Sequence, residues 1–334
     1  MYRRGVTLIE CLVAIAIIGL LMAIVLPAVQ TVRESARRLD CAQRQRQLIT
    51  AVMNSESTYG SLPLAGKFYS PPPHFRQMLS VWAKVTPYLD LADLYRTIDQ
   101  SAAEDGVGAY FPGPPQFMTS GNRQLRETTI PVLLCPSDRK LIGGVNQRVC
   151  DGTFSETHSN PSHPADRGRR GCLDGRMGEP MVRDITDGMS NTVLVSERVV
   201  GDFDLNKYTP FRDVFYLTNG TYFYGITSPD EIAWSCQNRF RTPMYGEMSY
   251  MGGTWLVEGK VFTLYDHNMT PNSPIPDCST NGRIISPGAV AARSQHPGGV
   301  NAGYADGAVK ICSNAIDLTL WRALATRSGG ENNR

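Results

Sequence analysis

An uncharged apolar run near the amino terminus restricts the fold of this chain more than any other feature. The run extends from Cys11 to Val29, nineteen residues without a charge. As a helix it is long enough to cross the hydrocarbon core of a bilayer, about 30 Å. Arg3 and Arg4 precede it, and a short basic head favours the cytoplasmic side. We therefore expect a single span of the cytoplasmic membrane, with the rest of the chain on the extracytoplasmic side.

Glu10 lies at the start of this run, where a carboxylate in hydrocarbon costs about 2.5–3.5 kcal/mol on insertion scales. A cleaved secretory signal has a shorter apolar region and a small-residue cleavage site. An uncleaved anchor leaves the carboxylate unexplained. Cleavage between Gly5 and Val6 would explain it, because the new ammonium of Val6 would lie about one helical turn from Glu10. The carboxylate would then pair with that ammonium, either in its own chain or in a neighbouring subunit.

Apolar residues recur at helical spacing beyond the membrane run. Glu34 and Arg38 lie four residues apart, which on a helix is a favourable charge pair. We predict one helix over 6–57, kinked near Pro27. Its first half, 6–29, would span lipid, and its second half, 30–57, would pack on the body.

The rest of the chain contains many turn residues and several short apolar runs. With 31 glycines and 22 prolines, the body is expected to have short elements joined by tight turns. The pattern of 78–102 predicts short helices, with Pro87 in a first turn. The segments 130–138 and 192–200 are predicted strands, and strand-like runs follow over 211–312. The predicted fold is α+β, with an antiparallel sheet in a body over 30–314 and a tail over 315–334.

A hairpin is predicted near the carboxyl end. Asp306-Gly307 between VNAGYA and AVKIC is a two-residue turn signal, and glycine tolerates the positive φ of such a turn. We interpret Asn301 and Asp306 as satisfying turn backbone and His296 as bonding a carbonyl. The alternative, a catalytic group, lacks a nucleophile motif such as G-x-S-x-G. The sequence therefore favours a protein that is not an enzyme.

The cysteines suggest disulfides, since an envelope location permits them. Of the eight, Cys11 lies in the apolar run, so seven remain and at least one cannot pair within the chain. The candidate bridges are Cys41–Cys135, which would tie the helix to the body, and Cys150–Cys172, which would pin a loop.

Two candidate metal sites accompany these patterns. Carboxylate oxygens at close spacing could hold Ca²⁺, but we favour turn and helix-cap chemistry and expect no cofactor. His158 and His163, between Cys150 and Cys172, could complete a zinc site, although the spacing is unfamiliar. The calcium candidates are Asp184, Asp187, Asp202 and Asp204.

The amino-terminal motif G-V-T-L-I-E, followed by an apolar helix, resembles the leader of type IV pilins and of type II secretion pseudopilins. The resemblance implies a prepilin peptidase that cuts after Gly5 and methylates the amine of Val6. Glu10 becomes the fifth mature residue, and Pro27 takes the position where that family often has a helix-kinking proline. Val6 itself departs from the usual phenylalanine.

Blocks along the body resemble the DUF1559, or H-X9-DG, family of pilin-like proteins. These include VLLCPSD, DITDGMSNTVLVSE and HPGGVNAGYADGAV, and the resemblance extends to about residue 314. It implies a pilin-like protein without naming an activity. The matching signature residues are Cys135, Asp184, Asp187, Gly188, Asn191, His296, Gly299, Asn301, Asp306 and Gly307.

Together these observations predict a membrane-anchored, pilin-like envelope protein that acts as a structural subunit of a type II secretion or type IV pilus-like assembly. The expected partners are the membrane, the prepilin peptidase and other pilin-like subunits. A net charge of +2 gives no reason to expect nucleic acid. The alternative is a singly anchored module that binds glycan or protein, and an envelope hydrolase ranks last.

Overall fold

A computed structural model shows a long amino-terminal helix that leads into a body with two mixed sheets, so the predicted α+β class is confirmed. The residues that the structure describes are 7–65, 79–98, 122, 125, 127–153, 170–173, 179–204, 206–217, 228–238, 249–279 and 288–331.

Helix α1 is continuous over Leu8–Tyr59, 52 residues, with Pro27 inside it. It begins in a capping box at Thr7 and ends at Gly60, whose φ of 72° is left-handed. The predicted helix over 6–57 is therefore confirmed to within two residues at each end. Every side chain of α1 as far as Arg33 is exposed, and burial begins at Cys41.

The larger sheet has five strands in the order β4-β1-β2-β7-β8. All of its pairs are antiparallel except β1 with β4, so the predicted antiparallel sheet is in fact mixed. Strand β2 lies within the predicted strand 192–200. The five strands are β1 (Gln147–Cys150), β2 (Val193–Glu197), β4 (Leu264–Tyr265), β7 (Gly299–Tyr304) and β8 (Val309–Ser313).

A second sheet has three strands in the order β3-β5-β6, with β3 parallel and β6 antiparallel to β5. Asp277 of β5 links the two sheets, because it binds Arg198, directly after β2, and Arg293, each at 2.8 Å. All three side chains are buried. The strands are β3 (Val214–Tyr216), β5 (Asp277–Ser279) and β6 (Gly288–Ala289).

The second half of α1 packs on the larger sheet. Leu48, Ile49 and Val52 are buried in a core shared with Val195 of β2. A Cβ at Gly303 of β7 would lie 2.6 Å from Ile49 Cδ1, so the absent side chain lets the helix approach the strand. Three short helices pack around this core: α2 (Val81–Val85), a 3₁₀ helix (Thr86–Leu89) and α3 (Ala92–Thr97). Two more lie in separate apolar clusters: α4 (Pro229–Asn238) and α5 (Leu318–Ala323). As predicted, Pro87 lies in a first turn.

Two local predictions were wrong. The predicted strand over 130–138 is a 3₁₀ helix, Pro131–Leu133, because proline suits a first turn and cannot donate to a ladder. The hairpin loop has three residues rather than two, since Tyr304 N–H bonds Ala308 and Gly307 N–H bonds Tyr304. Gly307 follows the turn with φ 90°.

The segment after β8 is fixed by a buried aromatic stack. Trp321 of α5 stacks on His267 with ring centroids 3.5 Å apart, and its Nε1 donates to Met269 at 3.0 Å. His267 donates from Nδ1 to the Trp321 carbonyl at 2.6 Å and accepts from Tyr265 at 3.0 Å. Burial lowers the pKa of His267 to about 3, so the imidazole is neutral at neutral pH.

We predict that His267 makes the body less stable in mild acid. Between pH 6.5 and 3 the unfolded chain binds a proton at this residue that the folded chain does not, so stability falls as pH falls through this window. Each pH unit removes about 1.4 kcal/mol. We expect the free energy of unfolding, measured with urea in detergent, to fall from pH 7 to pH 5. The fall should be about 2 kcal/mol smaller for His267→Gln than for wild type. Parallel losses in the two proteins would contradict a neutral buried imidazole.

Candidate functional site

The start of α1 holds the predicted Glu10 in a capping box. Its Oε2 accepts the Thr7 backbone N–H at 2.8 Å and the Thr7 hydroxyl at 2.9 Å, while Thr7 Oγ1 accepts the Glu10 N–H at 3.4 Å. Glu10 therefore has a role within its own chain that sequence analysis missed, although T-L-I-E has the spacing of such a box. Gly5 and Val6 lie outside the described residues, so the ammonium pairing stays a prediction.

The first part of α1 has the composition and length of a membrane span. An 18-residue window reaches a mean hydropathy of 2.9, and none of it is buried against the body. Among the described residues, it is the one helix that is both long enough and apolar enough to cross a membrane. An apolar helix that the protein leaves uncovered requires lipid or other helices around it.

A second candidate site lies where α1 first meets the body. Four polar side chains from separate segments converge there: Cys41 of α1, Cys135 after the 3₁₀ helix Pro131–Leu133, Glu197 at the end of β2, and His296 before β7. One ligand atom from each lies within 4.8 Å of the others. We call these residues the junction cluster. Their exposures are 0%, 5%, 1% and 2%, so the cluster is closed to bulk water.

His296 is the centre of the junction cluster. Its Nε2 lies 3.4 Å from Cys135 Sγ and 3.5 Å from Glu197 Oε2. Its Nδ1 donates to Glu34 of α1 at 2.6 Å. The predicted bond from His296 to a carbonyl is thus replaced by a bond to a carboxylate. The ring fixes one nitrogen on the helix and directs the other into the cluster.

Further groups orient the ligand atoms. Gln147 Nε2 donates to Cys41 Sγ at 3.1 Å. Asn301 N–H donates to Glu197 Oε1 at 2.9 Å, and the Ser294 hydroxyl donates to Glu197 Oε2. Ser137 donates to Glu34 at 3.0 Å. The cluster is therefore held in place by strands β1 and β7 and by the loops beside it.

The pKa values favour one charged pair at the centre of the junction cluster, the Cys135 thiolate and the His296 imidazolium. A hydrogen bond from Cys41, and then the imidazole of His296, lower the pKa of the Cys135 thiol to about 5. Burial acts against charge on His296, but its hydrogen bond to Cys135 and the charge of Glu197 raise its pKa to about 9. Burial raises the pKa of Glu197 to about 7. The pKa of Cys41 is raised, since its proton bonds Cys135.

The helix supplies the outer wall of the site. Although partial burial opposes it, hydrogen bonds from His296 and Ser137 lower the pKa of Glu34. Glu34 also contacts Arg37 at 3.5 Å. The predicted Glu34–Arg38 pair is therefore wrong, because Glu34 pairs with His296 and Arg37 while Arg38 donates to the Pro297 carbonyl.

This arrangement suits ligation better than catalysis. A thiolate beside an imidazole can act as a nucleophile, but reactive cysteines are at least partly exposed and have room for a substrate. Here thiol and imidazole are both buried. Two sulfurs, one imidazole nitrogen and one carboxylate oxygen form a donor set of the kind that binds a transition metal.

Neither predicted disulfide is formed in the structure. Cys41 and Cys135 do lie together, but as free thiols within the junction cluster. Cys150 and Cys172 are likewise free and buried, and burial raises the pKa of Cys172 to about 12. Their candidate zinc partners, His158 and His163, lie outside the described residues. The disulfide present joins Cys236 of α4 to Cys278 of β5.

The calcium candidates accept backbone N–H groups. Asp187 accepts the backbone N–H groups of Gly329 at 2.6 Å and Gly330 at 3.0 Å, and so holds the carboxy-terminal segment. Asp184 accepts the Met181 N–H at 2.8 Å. Asp202 accepts the Asp204 N–H at 3.0 Å. The bond of Asp184 is the local cap chemistry that we favoured from the sequence, whereas the bonds of Asp187 are long-range contacts.

The remaining signature residues form turns and strand contacts of the body. Gly188 has φ 94°, and Asn191 Nδ2 donates to the Asp187 carbonyl at 3.0 Å. A Cβ at Gly299 would lie 2.2 Å from the Cys312 carbonyl oxygen. Asp306 accepts the Ala308 N–H at 2.9 Å, which is the predicted turn role. Asn301 has no turn role: its Nδ2 donates to the Arg38 carbonyl of α1 at 3.4 Å and its backbone N–H to Glu197.

Comparison with known proteins gives two matches, both to families. A family described as "Protein of unknown function (DUF1559)" matches residues 30–319. The "Prokaryotic N-terminal methylation motif" matches residues 1–26. No curated protein and no solved structure matches the chain.

The free thiols can be counted directly. We predict that protein denatured in excess alkylating reagent without reductant is labelled at six cysteines: Cys11, Cys41, Cys135, Cys150, Cys172 and Cys312. Mass spectrometry should recover Cys236 and Cys278 in one disulfide-linked peptide. Cys236→Ser is the control and should add one label, at Cys278. Recovery of a disulfide-linked Cys41–Cys135 or Cys150–Cys172 peptide would contradict the free thiols and support the pairing predicted from the sequence.

Proposed function

Because the chain belongs to the DUF1559 family and carries a prokaryotic N-terminal methylation motif, we propose that it is a pilin-like structural subunit of an envelope assembly of the type II secretion or type IV pilus kind. The observation that supports this most is that the body leaves the apolar half of α1 uncovered, and most of that half lies within the matched methylation motif. A prepilin peptidase would release the leader, and like subunits would pack around the helix.

Glu10 would set the stagger between packed helices. Both Thr7 donors bond the same oxygen, Oε2, and within the described residues Oε1 has no bond. A carboxylate has lone pairs for several donors. Glu10 can therefore cap its own helix and accept the amino terminus of a neighbour at the same time.

The proposed location is the cytoplasmic membrane, with the body on the extracytoplasmic side. Arg3 and Arg4 favour a cytoplasmic head. The Cys236–Cys278 disulfide supports the same orientation, because structural disulfides persist in oxidising compartments.

Charge and capping at the helix start can be separated by two variants. Glu10→Gln keeps the shape of the capping box and removes the charge, because glutamine also serves at this position. Thr7→Val removes the cap, a loss of about 1 kcal/mol, and keeps the charge. We predict that crosslinking in cells gives an ordered ladder for wild type and Thr7→Val, and only monomer for Glu10→Gln.

If Glu10→Gln retains the ladder, Glu10 is only a cap. If wild type itself gives only monomer, the chain is a singly anchored module, the alternative that recognises glycan or protein.

Processing is tested at the leader. We predict that protein from cells begins at Val6 with a methylated amine, by amino-terminal sequencing and intact mass. Gly5→Val should leave the chain unprocessed at Met1. The matched control is Gly19→Ala, where a Cβ meets nothing within 4 Å, and it should be processed normally. Wild type that begins at Met1 would contradict the proposal.

A further inference from the structure

We propose that Cys41, Cys135, Glu197 and His296 bind one Zn²⁺ ion, which fastens α1 to the body. Cys41 lies in the second half of α1, about one third of the helix length before its end at Tyr59. The site shares no residue with the motif at the start of the helix. The inference goes beyond the proposed function and stands even if the chain never assembles.

The spacing of the donor atoms fits a tetrahedral ion. Zn–S bonds of about 2.3 Å and Zn–N or Zn–O bonds of about 2.0–2.1 Å place neighbouring ligand atoms roughly 3.3–3.8 Å apart. His296 Nε2 lies 3.4 Å from Cys135 Sγ and 3.5 Å from Glu197 Oε2, so two of the edges are already at these lengths. All four donors lie within 4.8 Å of one another. Small side-chain shifts would close the remaining edges.

The donor chemistry favours zinc over harder cations. Two sulfurs and an imidazole suit a borderline-soft ion, whereas Ca²⁺ and Mg²⁺ prefer oxygen alone. Four protein ligands leave no position open for water, as in structural zinc sites. The near-complete burial of all four side chains agrees with a closed, structural site.

The groups around the cluster are arranged as metal sites require. Glu34 accepts the Nδ1–H of His296 at 2.6 Å, so Nε2 is the nitrogen that faces the cluster and would bind a metal in place of its proton. Gln147 N–H points at Cys41 Sγ at 3.1 Å, and Asn301 N–H orients Glu197 at 2.9 Å. Such partners are what raises ligand basicity and fixes ligand orientation. The cluster therefore has both ligands and supports.

The position of the cluster gives the ion its role. Cys41 is the first buried residue of α1, and the other three ligands come from the body. An ion there would join the helix to three body segments at the point where the two meet. It would also keep two adjacent thiols from forming a disulfide in an oxidising compartment.

The test uses full-length protein in detergent, freed of metal and kept reduced. Zn²⁺ titration followed by elemental analysis should give one ion per chain. X-ray absorption should show two sulfur and two nitrogen or oxygen neighbours. Co²⁺ in place of Zn²⁺ should give the thiolate charge-transfer and visible bands of a tetrahedral site.

Variants separate this site from other thiols. Cys41→Ser and Cys135→Ser should each cut the sulfur-to-cobalt band to about half or less, whereas Cys312→Ser and Cys172→Ser, also buried cysteines, should leave it unchanged. Glu34→Gln should weaken zinc binding about 10–100-fold without removing a ligand. Because Glu34 is partly exposed on the helix, this variant keeps the test valid if a buried variant fails to fold.

Three results would overturn the proposal. The first is folded, reduced wild type that takes up no Co²⁺ or Zn²⁺ at thiolates. The second is native protein with Cys41 and Cys135 linked by a disulfide and no metal. The third is unchanged affinity in both Glu34→Gln and Cys41→Ser.

Discussion

Glu34 and Cys41 of α1 meet His296 of the body, and this contact joins the exposed and the buried parts of the helix. Before it the helix is exposed on every side, and after it the same helix is part of the core. Glu34 and His296 are 262 residues apart in sequence and 2.6 Å apart in space. The contact therefore brings the carboxy-terminal part of the body back to the helix at the amino-terminal end of the chain.

The two halves of α1 are stabilised by different surroundings. The first half leaves its apolar side chains to lipid or to other helices, while the second half buries Leu48, Ile49 and Val52 against the larger sheet. The loops that carry Cys135 and His296 are held by arginines of the same helix, since Arg44 donates to the Leu134 carbonyl at 2.9 Å and Arg38 to that of Pro297. The helix thus organises the body as well as anchoring it.

Much of this arrangement follows from local patterns, and the rest does not. Helix α1 and strand β2 could be predicted because their apolar periodicity agrees with their environment. The segment 130–138 misled because an apolar run resembles a strand even when proline bends it. The junction cluster was missed because its members are far apart in sequence. Glu197 gave one signal, as a carboxylate ending an apolar strand is rarely buried without a partner.

Because α1 is unbroken, a change in its tilt within the membrane moves the whole body. From Leu8 to Arg33 the helix is free of the body, a distance of roughly 38 Å at 1.5 Å per residue. A tilt of about 20°, ordinary for a membrane helix, displaces the first point of attachment at Glu34 sideways by roughly 13 Å. A small change in the tilt of the helix within the bilayer therefore produces a large sideways displacement of the surface of the body.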